Sequence, residues 1–303
     1  MIPFADADVE RRSFPVVNVV LIGLNALVFL YELQLGGLAL LGGGGDLDVT
    51  GFFLKWGFIS NELTQGVACT HQWLAINPLR VQEFCPQLPA EFLTSPESKL
   101  PVFGPVGGFF LQNIDSPLPT WGTLVSYMFI HGGFFHFAGN MAFLWVLGDN
   151  IENRLGHVKY LLFFLVTGVA AALSQMAIDP HSQSPLIGAS GAVSGVVGAY
   201  LLLYPYNRIR ALVIFYFITV VEVRALILLG LWSLWQLIQA LFSLGLSNAV
   251  NVAFFAHVGG VLAGVVIIAV YKLLTRQPIW PSRQRDQRRQ PWDYWYRAGR
   301  GPD

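Results

Sequence analysis

Runs of about twenty apolar residues, recurring along most of the chain, restrict what this sequence can fold into more than any other feature. A hydrocarbon layer about 30 Å thick takes roughly 20 apolar residues in helix to cross. Windows of that kind fall at 14–33, 124–148, 160–178, 189–204, 225–244 and 252–274. The 303 residues are 54% hydrophobic and only 12% charged, where soluble domains run near a quarter charged. The pattern therefore predicts an all-α polytopic membrane protein with six transmembrane helices. The first window is too long for a signal-peptide core and follows acidic residues, so it reads as an uncleaved span. The fourth is short and rich in small residues, which predicts a helix buried among the others rather than facing lipid.

The positions of the charges set the expected orientation. With a cytoplasmic amino terminus, the inner side receives Arg11, Arg12, Arg154, Lys159, Arg208, Arg210, Arg224, Lys272 and the seven arginines after Leu274. Only Lys55, Arg80 and Lys99 fall outside, so the positive-inside rule places both termini in the cytoplasm. Residues 1–13 are then a cytoplasmic amino terminus, 14–274 a membrane domain, and 275–303 an arginine-rich cytoplasmic tail expected to be disordered, lying on anionic headgroups. Residues 36–120 form a long extracytoplasmic loop, with short interfacial helices expected near 47–63. Within it, Cys69 and Cys85 form either a disulfide or two unpaired thiols. The apolar stretch 211–223, bracketed by Arg208 and Arg210 before and Glu222 and Arg224 at its end, is too short to cross. It is expected to be re-entrant or interfacial, which keeps both brackets on one side. Lysine plus arginine balance aspartate plus glutamate at 18 each, which argues against nucleic acid as a partner.

Polar side chains inside such spans are costly and point to function. His136 and Asn140 stand i, i+4 on one helical face; taken alone, they equally suit helix–helix hydrogen bonding. Ser190 opens the fourth window within Gly188-Ala189-Ser190-Gly191, where free backbone N–H groups favour an oxyanion. A GxSG run by itself is weak, because small residues and serine abound in membrane helices. His257 precedes Gly260 and Gly264, whose small face invites packing against the glycines at 191, 195 and 198. By itself His257 also suits a histidine satisfied by a neighbouring helix. The topology puts Ser190, His257 and His136 in the outer half of the membrane. A serine meeting an imidazole supports acyl transfer, with Ser190 as nucleophile and His257 as general base. The Ser190 N–H, His136 and Asn140 would form the oxyanion hole. No acidic residue is placed to orient His257, so the expectation is a dyad.

The GASG run at 188–191, the AHxxGxxxG run at 256–264 and the HxxxN pair His136 and Asn140 together resemble the rhomboid intramembrane serine proteases. Glu152 and Arg154 are similar to that family's pattern after its second helix, where the resemblance implies a structural role. It further implies a six-helix bundle that cleaves a peptide bond in or beside the transmembrane helix of a single-span substrate, with no metal, nucleotide or other cofactor. The lipid bilayer and those substrates are the implied partners, and the cell membrane the implied location. The active site would open to the extracytoplasmic side beneath a cap at 245–251. Gly188 matches the glycine two before the nucleophile, and His131 a further family histidine. Two departures stand out. Ser194 occupies a position where the family often stacks an aromatic on the base, so another group must pack His257. The first loop is also longer than a minimal member needs. Two rivals remain: an unrelated transporter using His136, Asn140 and His257 as an ion path, and a catalytically inactive member of the same fold.

Overall fold

The computed structural model describes residues 2–7, 13–37, 40, 47–65, 116–182, 184–214, 218–244 and 253–281. The tail beyond 281, the loop carrying Cys69 and Cys85, and the expected cap at 245–251 lie outside the described residues. Along the chain run β1 (Ile2–Asp6), α1 (Val16–Gly36), α2 (Leu47–Trp56), α3 (Ser60–Gln65) and α4 (Thr120–Ser126). Then come α5 (Phe134–Phe143), a π-helical stretch (Leu144–Gly148), α6 (Asp149–Leu155), α7 (His157–Ile178) and α8 (Ser190–Leu203). The chain continues with β2 (Arg208–Ile214), β3 (Ile218–Arg224), α9 (Ala225–Ser243) and α10 (Phe254–Leu274). Among the described residues, α1, α7, α9 and α10 are long and apolar enough to cross a membrane. Leu231, Leu234 and Trp235 on α9 and Leu262, Val266 and Leu273 on α10 are exposed, as suits helices whose outer face meets lipid.

The described residues fall into two compact units. The first comprises Met1–Leu24, Ala138–Ala171 and Ser190–Asp303. Its centre is α8, twelve of whose fourteen residues are buried, in keeping with the interior helix that its small residues predict. α10 packs along it at backbone distance. A Cβ on Gly260 would fall on the carbonyl oxygen of Gly191, and one on Gly264 on that of Gly195. Glycine at these points is a condition of the approach. Elsewhere in this unit, the Glu152 carboxylate accepts the N–H groups of Val17 at 2.9 Å and Asn18 at 2.7 Å. It thereby satisfies donors that the first turn of α1 leaves without intrahelical partners. The Asn18 amide donates to the Leu144 carbonyl in the π-helical stretch, and its oxygen accepts the Tyr160 hydroxyl. Arg154 donates to Gln277.

One expectation needs correction in this unit. The fold is mostly helical rather than all-α, because 208–224 forms an antiparallel hairpin and residues 2–6 add a third strand, in the order β1-β2-β3. The run alternates: Ile209 and Ala211 are fully buried while Arg208 and Arg210 face outward, the period-two signature of a strand. Arg208 pairs with Arg224 and Arg210 with Glu222, so the charged brackets do sit side by side. Where the tail starts, the Lys272 ammonium donates to the carbonyls of Leu202 and Ile279, and the Trp280 indole to the Tyr206 hydroxyl.

The second unit comprises Asn25–Phe137 and Ala172–Ala189. The window 124–148 is not one helix. Helix α4 and a 3-10 turn at Tyr127–Phe129 end before His131, and α5 starts only at Phe134, because the Gly132-Gly133 pair interrupts the helix. Short helices occur within the long loop, as expected. Their surroundings hold the strand-like segment before α8: Phe58 bridges Leu186, the Asn61 N–H donates to the Ser182 carbonyl, and Thr64 to that of Pro180. Phe29 and Phe137 stack with centroids 4.6 Å apart.

Candidate active site

Ser190 is the first residue of α8, so its backbone N–H belongs to the group that a helix start leaves without an intrahelical acceptor. Its hydroxyl oxygen stands 2.8 Å from Nε2 of His257, which lies in the first turn of α10. The α8–α10 contact positions both: with glycine at 260 and 264, the two backbones come near enough for a short serine side chain to reach the imidazole. Ser194, fully buried, donates its hydroxyl to the Ser190 carbonyl at 2.6 Å. A Cβ on Gly260 would stand only 3.0 Å from the Ser194 Cβ, so glycine at 260 keeps that approach open.

The aromatic that packs the imidazole comes from another helix. Trp232 on α9 lies 6.1 Å from His257 between ring centroids, tilted by 36°, and Phe254 meets it edge-on at 6.4 Å. On the same face of α9, Gln236 places its Oε1 2.8 Å from Nδ1 of His257. Gln236 is a residue that the sequence reading passed over. Its signal was one of two amides, with Gln239, in a mostly apolar run, four residues after Trp232.

The remaining expected residues divide between the units. Asn140, on α5, is buried in the same unit as Ser190 and His257. Gly188, His131 and His136 belong to the second unit. There Gly188 adopts φ +117°, a conformation that favours glycine, and donates its N–H to the Tyr127 carbonyl at 2.9 Å. His131 is wholly buried, its N–H donating to the Glu32 carboxylate at 3.0 Å, and its ring meets that of His136 edge-on, 5.2 Å apart. Glu152 and Arg154 make the contacts described for the first unit. Among the described residues, no three His, Cys, Asp or Glu side chains are grouped to hold a metal ion.

The rhomboid domain matches residues 119–273, just over half of the chain, from the start of α4 to the end of α10. The chain is 29% identical over 177 residues to Rhomboid-like protein 11, chloroplastic, of Arabidopsis thaliana, covering 56% of this chain and 57% of that one. It is 27% identical over 153 residues to Rhomboid protease GluP of Bacillus subtilis (strain 168), covering 50% and 26%. It is 28% identical over 91 residues to Rhomboid protein 1, mitochondrial, of Saccharomyces cerevisiae, covering 29% and 26%. The chain thus spans between about a quarter and somewhat over half of these relatives' own lengths. By this match over half of its length, the chain belongs to the rhomboid family.

Proposed function

We propose that this protein is an intramembrane serine protease that hydrolyses a peptide bond in or near the transmembrane helix of a single-span substrate. The observation that carries the reading is the 2.8 Å contact between the Ser190 hydroxyl and Nε2 of His257. In the first step the Ser190 oxygen attacks the scissile carbonyl while its proton passes to His257. The imidazolium then protonates the leaving amine, giving an acyl-enzyme. In the second step His257 takes a proton from water, the hydroxide attacks the ester carbonyl, and Ser190 recovers its proton as the acid product leaves. The oxyanion of each tetrahedral intermediate is met by the Ser190 N–H at the start of α8 and by the Asn140 amide. Gly188, His131, Glu152 and Arg154 have supporting, structural roles.

The membrane arrangement belongs to the same proposal: six crossings, both termini cytoplasmic in the cell membrane, and a site open to the extracytoplasmic side. The inactive-relative reading is weaker, because both the serine and its base are present and in contact. A transporter would leave the serine–imidazole contact without a purpose. Incubating the detergent-purified chain with a helix-destabilised transmembrane substrate tests the assignment. The wild type should cleave it and Ser190→Ala should not; cleavage persisting in Ser190→Ala contradicts the assignment. For orientation, an impermeant thiol reagent applied from outside should label a cysteine placed at Ser182. Protection there would reverse the topology.

A further inference from the structure

We infer that Gln236 is a positioning residue that extends the serine–histidine pair into a three-member hydrogen-bonded line, Ser190–His257–Gln236, by fixing which imidazole nitrogen carries the hydrogen. This rests on the protease reading above and deepens it. An amide oxygen has lone pairs and no hydrogen. The 2.8 Å contact between Gln236 Oε1 and His257 Nδ1 is therefore made by Nδ1–H donating to the oxygen. A neutral imidazole holds one N–H, so Nε2 presents its lone pair to the Ser190 hydroxyl 2.8 Å away. The opposite tautomer would place a hydrogen between Nε2 and the serine oxygen, where His257 could not accept the serine proton.

The surroundings suit this assignment. Gln236 is 8% exposed, so its amide is held among apolar side chains. Trp232, one turn earlier on α9, and Phe254, on α10, flank the imidazole ring. α10 packs against α8 and α9. α9 carries no Asp, Glu, Lys, Arg or His, and α8 no ionisable side chain except Tyr200. α10 itself adds Tyr271 and Lys272, which follow His257 by about four helical turns. The partner of Nδ1 is thus a neutral dipole rather than an anion. It orients the ring and accepts from the imidazolium, but it does not raise the basicity of His257 as a carboxylate would. In sequence terms, the place that an acidic residue takes in a triad is filled by an amide from a lipid-facing helix.

The test uses the full chain in detergent and follows, from pH 5 to 9, the rate at which a fluorophosphonate probe modifies Ser190, with the adduct mapped by mass spectrometry. Gln236→Met keeps the length and apolar packing but removes the acceptor. It should slow modification by about ten- to a hundredfold at pH 7.5 without moving the thermal midpoint in proportion. Gln236→Glu keeps an acceptor and adds charge. It should restore most of the rate above neutrality and move the acid limb of the profile upward by about one pH unit. Wild-type rates in Gln236→Met, or a Gln236→Glu limb that coincides with the wild type, overturn the inference while leaving the protease reading intact. Should Gln236→Met not fold, the Gln236→Glu limb decides alone. A wild type that shows no Ser190 adduct at any pH removes the protease reading and this positioning role together.

Discussion

Two groups of polar side chains in the same compact unit invite comparison. Around Glu152, each polar atom is spent on another part of the chain: the carboxylate takes two backbone N–H groups at the start of α1 and meets the His157 ring, while Asn18 uses both ends of its amide. Around His257, the polar atoms form a line from Gln236 through the imidazole to a serine hydroxyl at the start of a helix. The first arrangement closes on itself and ties elements together. The second runs toward a reactive oxygen. Buried networks of both kinds are expensive to disturb, but the loss should appear in different measurements: stability for the closed cluster, rate for the line.

Asn140→Ala sharpens that distinction most. If its amide donates to the oxyanion, kcat should fall by about a hundred- to a thousandfold with KM little changed. A pure rise in KM would move Asn140 to substrate binding. Glu152→Ala should do the reverse, lowering the stability of the purified protein by about 3 kcal/mol as two buried N–H groups lose their acceptor. The rate per folded molecule should stay as it was, measured as active-site-titrated turnover beside a melting curve. Equal stability in this variant would mean that the α1 start finds its partners elsewhere.

The smallest effect lies in the loop. Burial holds the Glu62 carboxyl at about 7, above its usual 4.5. The folded chain therefore keeps a proton that the unfolded chain begins to release near 4.5. Ionisation works against folding increasingly as pH climbs from about 4.5 to about 7 and fully above that. Glu62→Gln should raise the thermal midpoint at pH 8 and leave it unaltered at pH 4. The same gain at both values would point to packing rather than charge.

Serine and histidine were legible in the sequence because each is a reactive polar group framed by glycines in an apolar helix, and the glycine faces also foretold that α8 and α10 would meet. Gln236 was not legible by that route. A search for an acid to orient His257 passes over a neutral amide, and only the three-dimensional neighbourhood shows that α9 delivers it. The same holds for Trp232, which fills from α9 the packing role left vacant by Ser194. The sheet was missed for a different reason. Measuring 211–223 against bilayer thickness asks how long the run is, whereas the alternation from Arg208 through Ala211 answers which periodicity it has. Amino-terminal residues 2–6 pair with that hairpin through backbone hydrogen bonds, a partnership that no local pattern announces. The broken second window followed from Gly132-Gly133, which its mean apolarity conceals.

The central claim, a serine activated by an imidazole within the helical domain, is tested most directly by exposing the purified full-length chain to a fluorophosphonate and sequencing the modified peptide. The account predicts one phosphonylated residue, Ser190, in the wild type, and its loss in both His257→Ala and a heat-unfolded sample. Modification that proceeds equally well in His257→Ala, or that settles on a different serine, would contradict it.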